Sequence, residues 1–206
     1  NFLIGVTGRQ DEPLQGADLE VLRLAQIQAV KTAFVEAPPS VTTFLQYPSG
    51  DKWATAVNEA YEMGVRHFII HATPNAAENG WLKYWADGKE FSRWWIEIWA
   101  EAQSKWPKAM WGFPAMKPGT DCGTYFCDSE EFFEECREAI NCADFYELHS
   151  WWKNEEEMKT AIWRLDWHQR IWPDKPLIVE FANMNSTVSK KDKAHQYLDF
   201  YSELGR

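Results

Sequence analysis

Seven short apolar runs, punctuated by turn residues and leading into stretches with apolar residues at helical spacing, follow one another along the 206-residue chain. The pattern predicts strands over residues 2–8, 29–35, 41–47, 65–71, 109–116 and 144–152. A seventh strand is entered through Pro176, reads as buried on both faces, and ends at Glu180. Helices are predicted over 17–28, 52–63, 89–104, 130–140, 155–171 and 189–204. Pro38 and Pro39 stop the second strand, Asp51 and Asn154 stand as N-caps, and Gly64 takes the position just past a helix end. Strands that alternate with helices must pair in parallel through right-handed crossovers, which leaves an open doubly wound sheet or a closed barrel. No glycine-rich phosphate loop follows any strand, so the expectation is a single α/β domain over 1–206, a (β/α)8 TIM-type barrel lacking its eighth strand–helix unit. A typical barrel has about 250 residues, so the missing unit reads as truncated from a longer chain, with a partner segment that completes the barrel or an irregular barrel as the alternatives. The start Asn1-Phe2-Leu3, without Met or a signal pattern, reads as a mature or excised fragment.

Composition narrows the function classes. A net charge of -10 without any Lys/Arg cluster argues against nucleic acid and against an anionic membrane as partners. Spanning helices are not expected either, because no apolar run reaches eighteen residues. Thirteen Trp residues are more than a core of this size needs, which makes indole faces that stack on sugar rings an expected feature. Cys122, Cys127, Cys136 and Cys142 lack the paired C-x2-C spacing of a zinc site and suit either local disulfides pinning a loop or free thiols. Oxidised cysteines would place the protein outside the cytosol, so an extracellular or secreted location is expected. No cofactor motif is present. A metal site built from His71, His149 and Glu180 is conceivable, but no ligand spacing supports one, so none is expected.

Glu180 is the residue on which function turns. A carboxylate closing an apolar strand is costly inside a barrel wall and reasonable at the rim where α/β barrels keep their chemistry; the alternative is a loop glutamate paired with a neighbouring cation. The stretch Lys175-Pro176-Leu177-Ile178-Val179-Glu180-Phe181 resembles the seventh strand of the large (β/α)8 glycoside hydrolase clan that includes the family 5 cellulases and family 39 xylosidases. Its usual form there is K-P-[ILV]-x-[ILVT]-E-[FY]-G. The run Asp144-Phe145-Tyr146-Glu147-Leu148-His149-Ser150-Trp151-Trp152 is similar to that clan's sixth strand, where a His two residues before an aromatic sits beside the nucleophile. The resemblance implies that Glu180 is the nucleophile, His149 its neighbouring histidine and Trp151 the aromatic that follows.

One departure stands out. In the clan the fourth strand ends in N-E-P with the glutamate as acid/base, whereas this chain has His71-Ala72-Thr73-Pro74-Asn75, with Thr73 at the acid position. A hydroxyl cannot protonate a leaving oxygen near neutral pH, so one of the two carboxylates of a double displacement is missing. Either Glu78 on the same loop supplies the acid, or Glu147 on the sixth strand does, or catalysis has been lost and a sugar-binding cleft kept. Further rim candidates for contacting sugar are His71, Asn75, Trp81, Trp85 and Trp152, while Lys31, Glu36, Gln46 and Tyr47 suit structural roles as well. The expected function is that of a glycoside hydrolase-like protein acting on or binding a carbohydrate. The alternative is a non-catalytic carbohydrate-binding or structural barrel domain of a larger surface or virion assembly.

Overall fold

In the computed structural model the described residues are 5–7, 13–33, 42–47, 53–76, 85–118 and 129–204. They form strands β1 (Gly5–Thr7), β2 (Ala29–Thr32), β3 (Thr42–Tyr47), β4 (His67–Ile70), β5 (Met110–Phe113), β6 (Phe145–Trp152) and β7 (Leu177–Asn183). The helices are α1 (Gly16–Leu24), α2 (Trp53–Glu62), α3 (Gly88–Lys105), α4 (Ser129–Glu135), α5 (Arg137–Cys142), α6 (Glu155–Ile171) and α7 (Lys190–Leu204). Strand order follows chain order, and the ladders β1 to β5 and β6 to β7 are parallel. This is the architecture of a seven-unit α/β barrel, as the alternation predicts. The chain divides into two compact units, Asn1–Phe145 and Tyr146–Arg206.

The first unit is built on the five-strand ladder. Leu45, Phe68, Ile70 and Trp111 from the strands meet Trp53, Val57, Ala60 and Ala102 from α2 and α3 in one apolar cluster. Gly64, with φ +96°, ends α2 in the left-handed conformation that glycine adopts without strain, and Val65 N returns a bond to Ala60 O at 3.0 Å. Asp87 caps α3 by accepting from Glu90 N at 2.7 Å. Gly112 is required for a different reason: a Cβ there would stand 2.2 Å from the Phe145 ring.

Where one helix is predicted over 130–140, two form. Cys136 lies between α4 and α5, fully buried, with its thiol donating to Gly88 O at 3.1 Å. The start of α3 presses against α4 there so closely that a Cβ on Gly88 would meet Phe132 O at 2.3 Å. Cys136 and Cys142 are both free thiols, the second of the two expected alternatives. Cys122 and Cys127 lie outside the described residues.

The second unit pairs β6 with β7 under α6 and α7. Asn154 caps α6 by accepting from Glu157 N at 2.9 Å, as predicted. Trp152, Ala161 and Phe200 form its buried cluster, with Val179, Phe181 and Tyr197 against it. Two expectations for the seventh strand are corrected. Glu180 does not end β7; pairing continues through Ala182 opposite Trp151 and Asn183 opposite Trp152. Nor is β7 buried on both faces, for all but its last residue are partly exposed, as befits the final strand in the sheet order. Among the described residues no helix is long and apolar enough to cross a membrane.

Candidate functional site

The pleat of β6 sends Glu147, His149 and Trp151 to one face and Tyr146, Leu148, Ser150 and Trp152 to the other. Register places His149 directly opposite Glu180 on β7. His149 Nε2 stands 3.9 Å from an oxygen of Glu147 and 3.9 Å from an oxygen of Glu180. Both gaps exceed the 2.7–3.2 Å of a direct hydrogen bond. The imidazole lies flat against the Trp151 indole, with ring centres 4.2 Å apart and planes 17° apart. Exposure is graded along the row: the Glu147 side chain is 0% exposed, His149 5% and Glu180 19%.

That gradient separates the roles the sequence leaves open. The two carboxylates come within 4.8 Å of each other, near the ~5–5.5 Å of retaining glycosidases. Yet Glu147 is sealed off and has no access to a glycosidic oxygen, so the geometry gives it no part as an acid. Glu180 is the member of the set that solvent, and hence a ligand, can reach. Among the described residues, the group that could hold a metal ion is these three, not the trio His71, His149 and Glu180. Ligands about 2.1 Å from one ion at tetrahedral angles stand roughly 3.4 Å apart, so the 3.9 Å gaps are wider than a closed metal site and the set would have to contract to hold an ion.

The rim that follows β4, in the first unit, is built differently. His71 (φ +82°) and Thr73 (φ +43°) both adopt left-handed backbone conformations that side chains other than glycine resist. His71 is fully buried, with Trp85, Phe91 and Trp94 edge-on around it at 5.3–6.2 Å, and its Nδ1 lies 2.9 Å from Ala72 O. Burial pushes its pKa down to about 3, against a smaller upward pull from the Ala72 backbone. Thr73 N donates to Ala115 O at 3.1 Å. Asn75, also fully buried, donates to Lys117 O at 2.9 Å and accepts from Lys117 N at 2.7 Å. The loop is thereby stitched to the segment leaving β5.

Several predicted sugar contacts therefore have other occupations. His71 is enclosed by aromatic rings, Asn75 is a backbone clamp, and Trp85 is buried with them. Trp152 is 1% exposed, packed against Phe181 and Phe200 with its Nε1 donating to Gln196. Trp151, half-buried on the Glu180 face, remains available. Glu78 and Trp81 lie outside the described residues. Sequence reasoning did not find the residues that hold the end of β7. Asn183 donates from Nδ2 to Gln196 Oε1 and from its N to the Tyr197 hydroxyl at 3.2 Å, and its O accepts from Lys193 Nζ at 2.9 Å. The signal was present: 193, 196 and 197 share one face of α7.

No protein-family model matches this chain, and no curated protein matches it in sequence. Solved structures do resemble it. A GH128 subgroup I endo-β-1,3-glucanase from Amycolatopsis mediterranei, in complex with laminaritriose, superposes with a TM-score of 0.65 at 16% identity, covering 98% of this chain and 83% of that one. A GH128 subgroup III curdlan-specific exo-β-1,3-glucanase from Blastomyces gilchristii, in complex with glucose, gives 0.64 at 11%, covering 96% and 82%. A GH128 subgroup VII oligosaccharide-binding protein from Cryptococcus neoformans gives 0.58 at 12%, covering 98% and 77%. At such identities the likeness establishes the fold: this chain has the barrel architecture of the GH128 glycoside hydrolases over nearly its whole length.

Proposed function

We propose that this chain is a glycoside hydrolase-like protein that takes a β-1,3-linked glucan oligosaccharide beside β6 and β7, with Glu180 as nucleophile of a retaining displacement. The observation that carries the reading is Glu180 itself: the accessible carboxylate of the Glu147–His149–Glu180 row, opposite His149 on the seventh parallel strand. The fold neighbours, named as β-1,3-glucanases or as an oligosaccharide-binding protein, support the choice of sugar. The Lys175–Phe181 motif favours common descent with the family 5 and family 39 clan, and an extracellular site of action suits a glucan substrate.

In this reaction a Glu180 oxygen attacks the anomeric carbon as the bond from that carbon to the leaving oxygen breaks, giving a glycosyl ester. Water then cleaves the ester and restores the carboxylate. The leaving oxygen must gain a proton, and the burial of Glu147 argues against it as the source. Thr73, at the fourth-strand position, offers only a hydroxyl, so Glu78 is the candidate acid. An aryl β-glucoside or aryl β-laminaribioside with a good leaving group needs little protonation and isolates the nucleophile. Turnover by the wild type and its loss in Glu180→Gln is the expected result; absence of turnover by the wild type across such substrates counts against hydrolysis.

Thr73 favours a second reading, a barrel that binds the oligosaccharide without cleaving it. Calorimetric binding of laminaritriose without turnover of any aryl glycoside would select it, and absence of both would remove both readings.

A further inference from the structure

The buried carboxylate of Glu147 has no role in the displacement just described, yet it is the deepest member of the row that leads to Glu180. A carboxylate without solvent is costly unless a positive charge or hydrogen bonds compensate it. The β6 pleat brings the His149 imidazole to 3.9 Å from it, and the β6–β7 register sets the same nitrogen 3.9 Å from Glu180. Trp151 covers one face of that ring at 4.2 Å, which restricts the plane the imidazole can adopt. A charged imidazole in this position answers two carboxylates at once, one sealed and one accessible.

We propose that Glu147 is a positioning residue that acts on Glu180 through His149: it keeps the imidazole positively charged against Trp151, so that a fixed cation faces the accessible carboxylate and holds it ionised and aimed. Among the described residues, Glu147 and Trp151 on β6 and Glu180 on β7 stand against this imidazole. The proposal rests on the reading of Glu180 as nucleophile, but the charge on His149 can be observed without any substrate.

The test is nitrogen-15 NMR of the imidazoles in the full chain at pH 7, where five histidines keep the spectrum assignable and His149→Gln identifies the signals by their loss. The expected result is two protonated nitrogens on His149 in the wild type and one protonated, one bare nitrogen in Glu147→Gln. A neutral His149 in the wild type overturns the proposal, and so does a charged one that is unchanged in Glu147→Gln. Should Glu147→Gln fail to fold, the wild-type spectrum still decides by its first criterion, and Glu147→Asp, which keeps the carboxylate, should retain the charge. On an aryl β-glucoside, Glu147→Gln should lower kcat about tenfold or more with little change in KM, the mark of a lost transition-state interaction. A wild type with a charged His149 and no turnover sinks the hydrolytic reading and leaves the charge relation standing. Turnover with a neutral His149 does the reverse.

Discussion

The β4 rim and the β6–β7 pair both carry polar residues that a sequence reader would assign to a sugar site, but they use those residues in opposite ways. After β4 the backbone is strained at His71 and Thr73, and the polar side chains turn inward: His71 into an aromatic cage, Asn75 onto the Lys117 backbone. On β6 and β7 the backbone is regular, and pleat and register alone line up Glu147, His149 and Glu180 with increasing exposure. A strained loop spends its polar groups on holding itself, whereas a paired strand holds its backbone with ladder bonds and leaves the side chains for other work.

The sharpest way to break this contrast is pH. His71 titrates at about 3 when folded against an ordinary value of 6.5, because burial disfavours its charged form. Its contribution to stability is therefore complete above pH 6.5 and is lost as the pH falls toward 3, since only the unfolded chain takes up the proton in that window. At about 1.4 kcal/mol per pH unit the loss approaches about 5 kcal/mol. His71→Phe, which suits the aromatic cage, should flatten that part of the denaturation-midpoint profile, and an unchanged slope would show that the ring is not enclosed.

Trp152→Ala should cost about 3–5 kcal/mol in chemical denaturation, as expected for a large ring removed from a core. Trp151→Ala, one residue earlier on the opposite face, should leave stability nearly unchanged. If the two costs are similar, the assignment of faces on β6 is wrong. Asn75→Ala removes a two-bond clamp and should cost about 1–3 kcal/mol in stability with no effect on oligosaccharide affinity. Smallest is the effect of Trp151→Ala on laminaritriose binding, a loss of about 1 kcal/mol by calorimetry if its ring stacks on the sugar.

Much of the architecture was legible because periodicity and caps are local signals. Asn154, Gly64 and the α6 pattern mark element boundaries, and the resemblance of the β6 and β7 runs implies a histidine beside Glu180, where the register puts His149. What escaped depends on contacts between distant segments. The break at Cys136 lies where Gly88 approaches Phe132, 44 positions away in the chain, a contact that nothing within 130–140 announces. Glu180 was read as a strand end because a charged residue after Val179 resembles a boundary. The strand in fact runs on because α7 receives Asn183 through Lys193, Gln196 and Tyr197. Trp151 and Trp152 are alike in sequence, and only alternation fixed to a known inward face tells the stacking ring from the core ring.

The central claim, that Glu180 is aimed at an anomeric carbon, is most directly tested by incubating the chain with a 2-deoxy-2-fluoro-β-glucoside carrying a dinitrophenolate leaving group, which needs no acid to depart. Peptide mass spectrometry is then expected to find one glycosyl adduct, on Glu180, that disappears in Glu180→Gln. An adduct on another carboxylate would contradict the assignment, as would no adduct in a protein that turns over the unfluorinated aryl glycoside.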